Sequence, residues 1–204
     1  MSAQTLHEAC IRGDREAVET LLHGGVDENA VYRGDTPLLL AVIFNHPSVV
    51  SVLLARPGTM LGWVDAWGRT ALHYACHKNR PDMVEMLGRD KRCTAALLNK
   101  KDRCGYTPLW LAVKSNSLDS VKELGKLEWT NFRTKTQTGS LIAMAKKRRN
   151  YEILKYLLER KKTVGTLAEM AAFIVAKRVA KEENVESLEI PISLYSLVTK
   201  FLDR

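Results

Sequence analysis

The sequence predicts an all-α protein built as an array of stacked helix pairs. Three observations carry that prediction: a segment that recurs through most of the chain, a hydroxyl residue opening each copy, and a second apolar-periodic run behind the first. The recurring segments are "DTPLLLAV" from Asp35, "RTALHYAC" from Arg69, "YTPLWLAV" from Tyr106 and "GSLIAMAK" from Gly139. An earlier copy, "QTLHEACIRGD", aligns Leu6 with Leu38. The matching Thr36, Thr70, Thr107 and Ser140 lie 34, 37 and 33 residues apart.

The start of each copy reads as a helix start. A hydroxyl there caps the first free amides, and Pro37 or Pro108 just inside opens the first turn without wasting a hydrogen bond. Ala9, Ala41, Ala75, Ala112 and Ala145 recur at one position, where a small side chain lets a neighbouring helix approach closely. After a short break come "EAVETLL", "SVVSVLL", "DMVEML", "DSVKEL" and "YEILKYLL", whose apolar residues fall at helical spacing and supply the second helix of each pair. In "LLHGGVDENA", Gly24 or Gly25 can take the left-handed conformation that stops a helix.

These periods place copies at approximately 1–30, 31–64, 65–101, 102–134 and 135–162. The loop "GRDKRCTAALLNKKD" between the third and fourth carries extra residues. Residues 163–204 follow another pattern. A possible capping box from Thr166 to Glu169 precedes Leu167, Met170, Ala171, Ile174 and Val175, and together with "IPISLYSLVTKFL" it reads as a helical cap closing the last apolar face.

Composition narrows the function classes. In the 204 residues, 46% are hydrophobic and 26% charged, as in a globular domain or repeat array. The beginning lacks a basic stretch leading into an apolar run, and no segment has the apolar length of a membrane span, so the expected location is intracellular, in the cytoplasm, with the nucleus as alternative. Cys10, Cys76, Cys93 and Cys104 form no C-x-x-C pair and read as free thiols, with Cys93 and Cys104 in loop-like stretches where exposure is expected. The net charge of +8 is unevenly placed, since residues 1–100 carry 11 basic and 11 acidic side chains while 126–162 carry 11 and 3. An acidic partner would be drawn to that one segment.

With these features the chain closely resembles the ankyrin-repeat family. Its T-P-L-H-x-A signature stands as Thr70-Ala71-Leu72-His73-Tyr74-Ala75 and, with Trp110 in the histidine slot, as Thr107-Pro108-Leu109-Trp110-Leu111-Ala112. "DAWG" from Asp65 and "DRCG" from Asp102 stand ahead of two copies, while the fifth copy lacks the proline and the histidine. The resemblance implies an ankyrin-repeat solenoid of stacked antiparallel helix pairs with protruding loop or β-turn fingers.

That register bears on "GRTALHYACH", where His73, Cys76 and His77 are spaced as metal ligands on one helix could be. The resemblance places the His73 ring against neighbouring backbone and Cys76, like Cys10, in a small buried slot. A zinc site would require further ligands, such as Cys104 beside His77, and a core-facing thiol lacks the setting of a nucleophile. No phosphate-binding glycine loop, metalloprotease histidine pair or nucleophile elbow is found. No enzyme activity, cofactor or metal is expected.

The resemblance implies instead a concave binding face made by the fingers and first helices. By register its finger candidates are Tyr32, Arg33 and Asp35, then Ala66, Trp67 and Arg69, then Arg103, Cys104 and Tyr106. At the ends of the first helices lie Ile43 and Phe44, His77 and Lys78, Lys114 and Ser115, Lys147 and Arg148. Trp67 and Tyr106 lead because aromatics anchor interfaces, though a large ring can equally pack against the adjacent repeat. "KKRR" from Lys146, with Arg133, Lys135 and "RKK" from Arg160, favours an acidic protein segment, while solvated cations at a helix end account for part of it.

The expected function is non-enzymatic protein binding, by a monomer in the default case. Two alternatives remain at this level. The first is nucleic-acid or anionic-lipid binding through residues 126–162, also readable as a nuclear-import signal, with Trp129, Phe132 and Tyr151 as the few interleaved aromatics. The second is a ubiquitin-ligase adaptor using Ser193-Leu194-Tyr195-Ser196-Leu197-Val198, in which Val198 replaces the expected cysteine.

Overall fold

A computed structural model describes residues 3–137 and 139–160. The chain divides into two compact units, Met1–Asn150 and Tyr151–Arg204. The first unit pairs α1 (Ala3–Arg12) with α2 (Arg15–His23), α3 (Pro37–Ile43) with α4 (Pro47–Ala55), α5 (Ala71–His77) with α6 (Pro81–Arg89), and α8 (Pro108–Lys114) with α9 (Leu118–Lys126). A fifth first-helix, α10 (Leu141–Lys147), packs on α8. First helices touch first helices in the order α1, α3, α5, α8, α10, and second helices touch in the order α2, α4, α6, α9. Of the second unit, α11 (Tyr151–Arg160) is described, and it buries Ile153, Leu154, Leu157 and Leu158.

The predicted helix starts are met in atomic detail. Thr36 Oγ1 accepts the Leu39 N–H at 3.4 Å, Thr107 Oγ1 accepts the Trp110 N–H at 3.2 Å, and Ser140 Oγ accepts the Ala143 N–H at 3.2 Å. Each first helix also stops in one way. Gly13, Asn45, Asn79, Asn116 and Arg149 occupy equivalent positions with φ of 75°, 66°, 53°, 58° and 57°. The next residue's N–H then turns back onto the recurring alanine: Asp14, His46, Arg80, Ser117 and Asn150 donate to the carbonyls of Ala9, Ala41, Ala75, Ala112 and Ala145 at 2.9–3.0 Å. This is the left-handed stop that satisfies orphan carbonyls at a helix end. The alanines are buried, as their place in a helix seam requires. Gly25, at φ 82°, supplies the left-handed residue expected after α2.

Fingers project between helix pairs. Tyr32 and Asp35 exchange two backbone bonds at 3.1 and 3.2 Å around Arg33 and Gly34, both at positive φ. The finger ahead of the fifth copy is a short antiparallel hairpin of β1 (Lys135–Thr136) and β2 (Gly139–Ser140), with Lys135 opposite Ser140 and Thr136 opposite Gly139.

Two local readings need correction. The inserted loop after α6 contains a helical turn, α7 (Ala95–Leu98), capped by the Thr94 hydroxyl, and no periodic signal exists in so few residues. Cys93 in the same loop is buried rather than exposed. A turn in which its N–H donates to the Asp90 carbonyl at 2.8 Å curls it inward, and burial pushes its thiol up to about 11. Cys104 is exposed as expected. The anticipated cap over 163–204, its Thr166–Glu169 start and the Ser193–Val198 segment lie outside the described residues.

Candidate partner-binding face

Two buried aspartates build the central fingers. Asp65 Oδ1 accepts the N–H groups of Trp67 and Arg69 at 2.8 and 2.9 Å, and Asp102 Oδ1 accepts those of Cys104 and Tyr106 at 2.9 Å each. Gly68 and Gly105 complete the loops at φ 75° and 78°. A side chain on Gly68 would also press on the Arg103 backbone, since an added Cβ would lie 3.1 Å from the Arg103 nitrogen. That closeness lets the Arg103 N–H donate to the Trp67 carbonyl at 2.9 Å, while Arg69 Nε donates to Asp102 Oδ2 at 3.3 Å. The fingers bearing Trp67 and Tyr106 therefore stand side by side. Sequence reasoning assigned these aspartates no role, although both stand in the D-x-x-G pattern ahead of a repeat.

The histidine–cysteine cluster splits between core and surface. His73 Nδ1 accepts the Thr70 N–H at 3.1 Å and meets the Thr70 hydroxyl at 2.9 Å, which leaves the proton on Nε2 to be donated to the Tyr106 carbonyl at 3.1 Å. Burial holds the imidazole below its ordinary pKa and so neutral. Cys76 is fully buried and its thiol is pushed well up for the same reason. His77 instead meets the Ser115 hydroxyl through Nδ1 at 2.6 Å. Among the described residues no group of three or more His, Cys, Asp or Glu side chains is arranged to hold a metal ion.

The predicted face residues fall into two rows. On the fingers, Arg33, Trp67 and Arg103 are exposed, Trp67 by 64%, while Tyr32, Asp35, Arg69 and Tyr106 are half-buried. Tyr106 stacks on Trp110 with 5.9 Å between ring centroids and 7° between planes, and Lys114 Nζ lies 4.5 Å above its ring. Tyr32 packs 5.7 Å from the His7 ring, with the Arg33 guanidinium 5.2 Å from its own. Asp35 has a raised pKa, first through burial and then through the Asp65 charge. Trp110 is wholly buried and packs within the core, stacked on Tyr106 of its own repeat.

Along the helix ends, Phe44, Lys78, Lys147 and Arg148 are exposed, while His77 and Lys114 are half-buried. The fields converge at one spot. The His77 pKa is lowered by burial and then by Arg69, Lys78 and Lys114, so a finger cation and two helix-end cations act on the same ring.

Residues 6–95 and 68–134 match the family described as ankyrin repeats (3 copies). The chain belongs to the ankyrin-repeat family. It is 33% identical over 126 residues to the nuclear factor NF-kappa-B p105 subunit of Rattus norvegicus, covering 58% of this chain and 13% of that protein. It is also 33% identical over 125 residues to the human B-cell lymphoma 3 protein, covering 58% and 27%. To the ankyrin repeat protein FPV223 of fowlpox virus (strain NVSL) it is 33% identical over 102 residues, covering 50% of this chain and 67% of that one. The chain thus spans only a small part of the first two relatives. Ankyrin repeats are generally protein–protein interaction modules and typically non-enzymatic, and the described helices include none long and apolar enough to cross a membrane.

Proposed function

We propose that this protein is a non-enzymatic interaction module that holds another protein across its fingers and first-helix ends, with an acidic stretch of that partner against the basic repeats. The exposed Trp67 indole carries the reading. A large ring left 64% in solvent, on a finger whose backbone is fixed by the Asp65 side chain, gains burial free energy when a partner covers it, and rigid aromatics lose little entropy on binding. Arg103 beside it and Lys78, Lys147 and Arg148 along the helix ends provide the polar rim. Intracellular function follows for such a module.

The test pairs Trp67→Ala with Arg103→Ala. Both side chains are exposed, whereas Tyr106→Ala would also remove the support of Trp110 and confuse folding with binding. A partner isolated by affinity capture and then purified should bind the double variant at least tenfold more weakly, at unchanged helical content by circular dichroism. Equal affinity would reject this face.

A further inference from the structure

The helix-end row changes character along the array, and this change specifies the partner's own pattern. At two equivalent positions at the first-helix ends stand, in repeat order, Ile11, Ile43, His77, Lys114 and Lys147, and then Arg12, Phe44, Lys78, Ser115 and Arg148. Ile11 is 37% and Phe44 47% exposed, so repeats one and two each present an exposed apolar residue in these rows, where repeats three to five each present at least one lysine or arginine. Arg12 is followed closely by the exposed Asp14, so the first repeat adds little net charge. Lys78, Lys147, Arg148 and Arg149 are exposed, and Lys114 lies over Tyr106 between them in the contact order α5, α8, α10.

We infer that this row of first-helix ends takes an extended protein segment in register, with apolar side chains seated at one end on repeats one and two and carboxylates at the other end on repeats three to five. This rests on the interaction reading above and adds which end of the partner goes where. Packed first helices lie ~10 Å apart, and a chain in the polyproline II conformation rises ~3.1 Å per residue with about three residues per turn, so every third side chain faces the row and meets the next repeat. The pattern is two apolar residues and then three acidic ones, each separated by two others. Charge complementarity favours carboxylates over neutral side chains at Lys78, Lys114, Lys147 and Arg148.

Synthetic 13-residue peptides of that pattern, made in both chain directions, test it against the full 204-residue protein. A peptide of the same composition with apolar and acidic residues interleaved is the comparison. At least one ordered peptide should bind about tenfold tighter than the interleaved one, as expected when anchors are in register. Phe44→Ala and the pair Lys147→Glu, Arg148→Glu should each weaken it about tenfold, with Lys147→Gln, Arg148→Gln falling between. A photo-crosslinker on its apolar end should label residues 3–64, and one on its acidic end residues 102–150. Equal binding of the interleaved peptide, or no saturable binding, overturns the register. So does equal weakening by Lys91→Glu, Lys122→Glu on the second-helix side, which would signify net charge alone. An oligonucleotide that competes with the same dependence on these variants overturns it in favour of phosphate. If the peptides fail while the purified partner still depends on Trp67 and Arg103, the interaction face stands and this register falls; if the partner is indifferent too, both fall.

Discussion

Arg92, half-buried in the loop after α6, joins the third repeat to the end of α4 in the second, and its removal should cost more than an ordinary loop substitution. Its Nη1 donates to the carbonyls of Arg56 at 2.7 Å, Pro57 at 3.1 Å and Thr59 at 3.3 Å. Its Nη2 donates to the Leu54 carbonyl at 2.8 Å and to Asp90 Oδ2 at 2.6 Å, and Nε donates to Asp90 Oδ1 at 2.8 Å. The guanidinium therefore supplies donors to the end of α4 that the helix itself cannot. A hydrogen bond to a charged group contributes ~1.5–3 kcal/mol when buried. With 22% of the Arg92 side chain exposed, water replaces part of what is lost, and several carbonyls share each nitrogen, so Arg92→Ala should cost about 2–3 kcal/mol in total rather than a sum over bonds. At a urea slope of ~2 kcal/mol/M, the midpoint followed by circular dichroism falls by about 1–1.5 M. Arg92→Lys should recover little, because one ammonium lacks the planar fork that serves Asp90 and the α4 carbonyls together. The Asp90 carboxyl is held below its usual pKa mainly by Arg92, so the wild type also loses stability as pH falls below about 4, and the variant loses less. A loss under about 0.5 kcal/mol, the size of an ordinary surface substitution, would refute the clamp.

His73 and His77 both have lowered pKa values in the folded protein, so the unfolded chain binds more protons below the ordinary value of about 6.5. Stability should hold above that pH and fall as pH drops toward 5, with a shallower fall in His73→Asn when urea midpoints are compared across the range. Arg149 carries a left-handed backbone where Gly13, Asn45, Asn79 and Asn116 stand in earlier copies. Arg149→Asn should raise stability by about 0.5–1 kcal/mol and the thermal midpoint by about 2–3 °C, whereas an unchanged or lower midpoint would show the strain is offset locally.

The helix pairs were legible because their causes are local. A hydroxyl, a proline and a leucine within three residues determine a start, and the recurring alanine marks the seam. What escaped the reading depends on contacts between distant residues. The asparagines at 45, 79 and 116 look like solvent-facing polar residues until their φ angles show each one ending a helix. Trp67 and Tyr106 look alike in sequence, both being finger aromatics. One is solvent-exposed and the other lies flat on Trp110, a difference set by a side chain four residues further along. Arg92 reaches carbonyls 33 to 38 residues back, which no local pattern signals.

The histidine slot shows how one substitution redirects the coupling between repeats. In the first and third copies the ring in that slot reaches forward to the next finger, His7 Nε2 to the Asp35 carbonyl at 3.0 Å and His73 Nε2 to the Tyr106 carbonyl at 3.1 Å. In the second copy the slot holds Leu39, which has no donor, and Trp63 Nε1 reaches back to the Gly34 carbonyl at 3.2 Å instead. In the fourth copy Trp110 fills the slot, and its buried Nε1 has no hydrogen-bond partner. Its ring supports Tyr106 of its own repeat and gives the fifth finger no such tie. An unmet indole N–H costs about 1–3 kcal/mol. The stack with Tyr106 and the burial of the ring offset that cost, and the support runs within the fourth repeat rather than onward. The finger bearing Trp67 is thus fixed from both neighbours, through Trp63 and through the Arg103 N–H, whereas the fifth repeat is tied to the fourth by α10 packing on α8 and by the Asn150 Nδ2 donation to the Val113 carbonyl at 2.8 Å, an arrangement that keeps the aromatic anchor rigid.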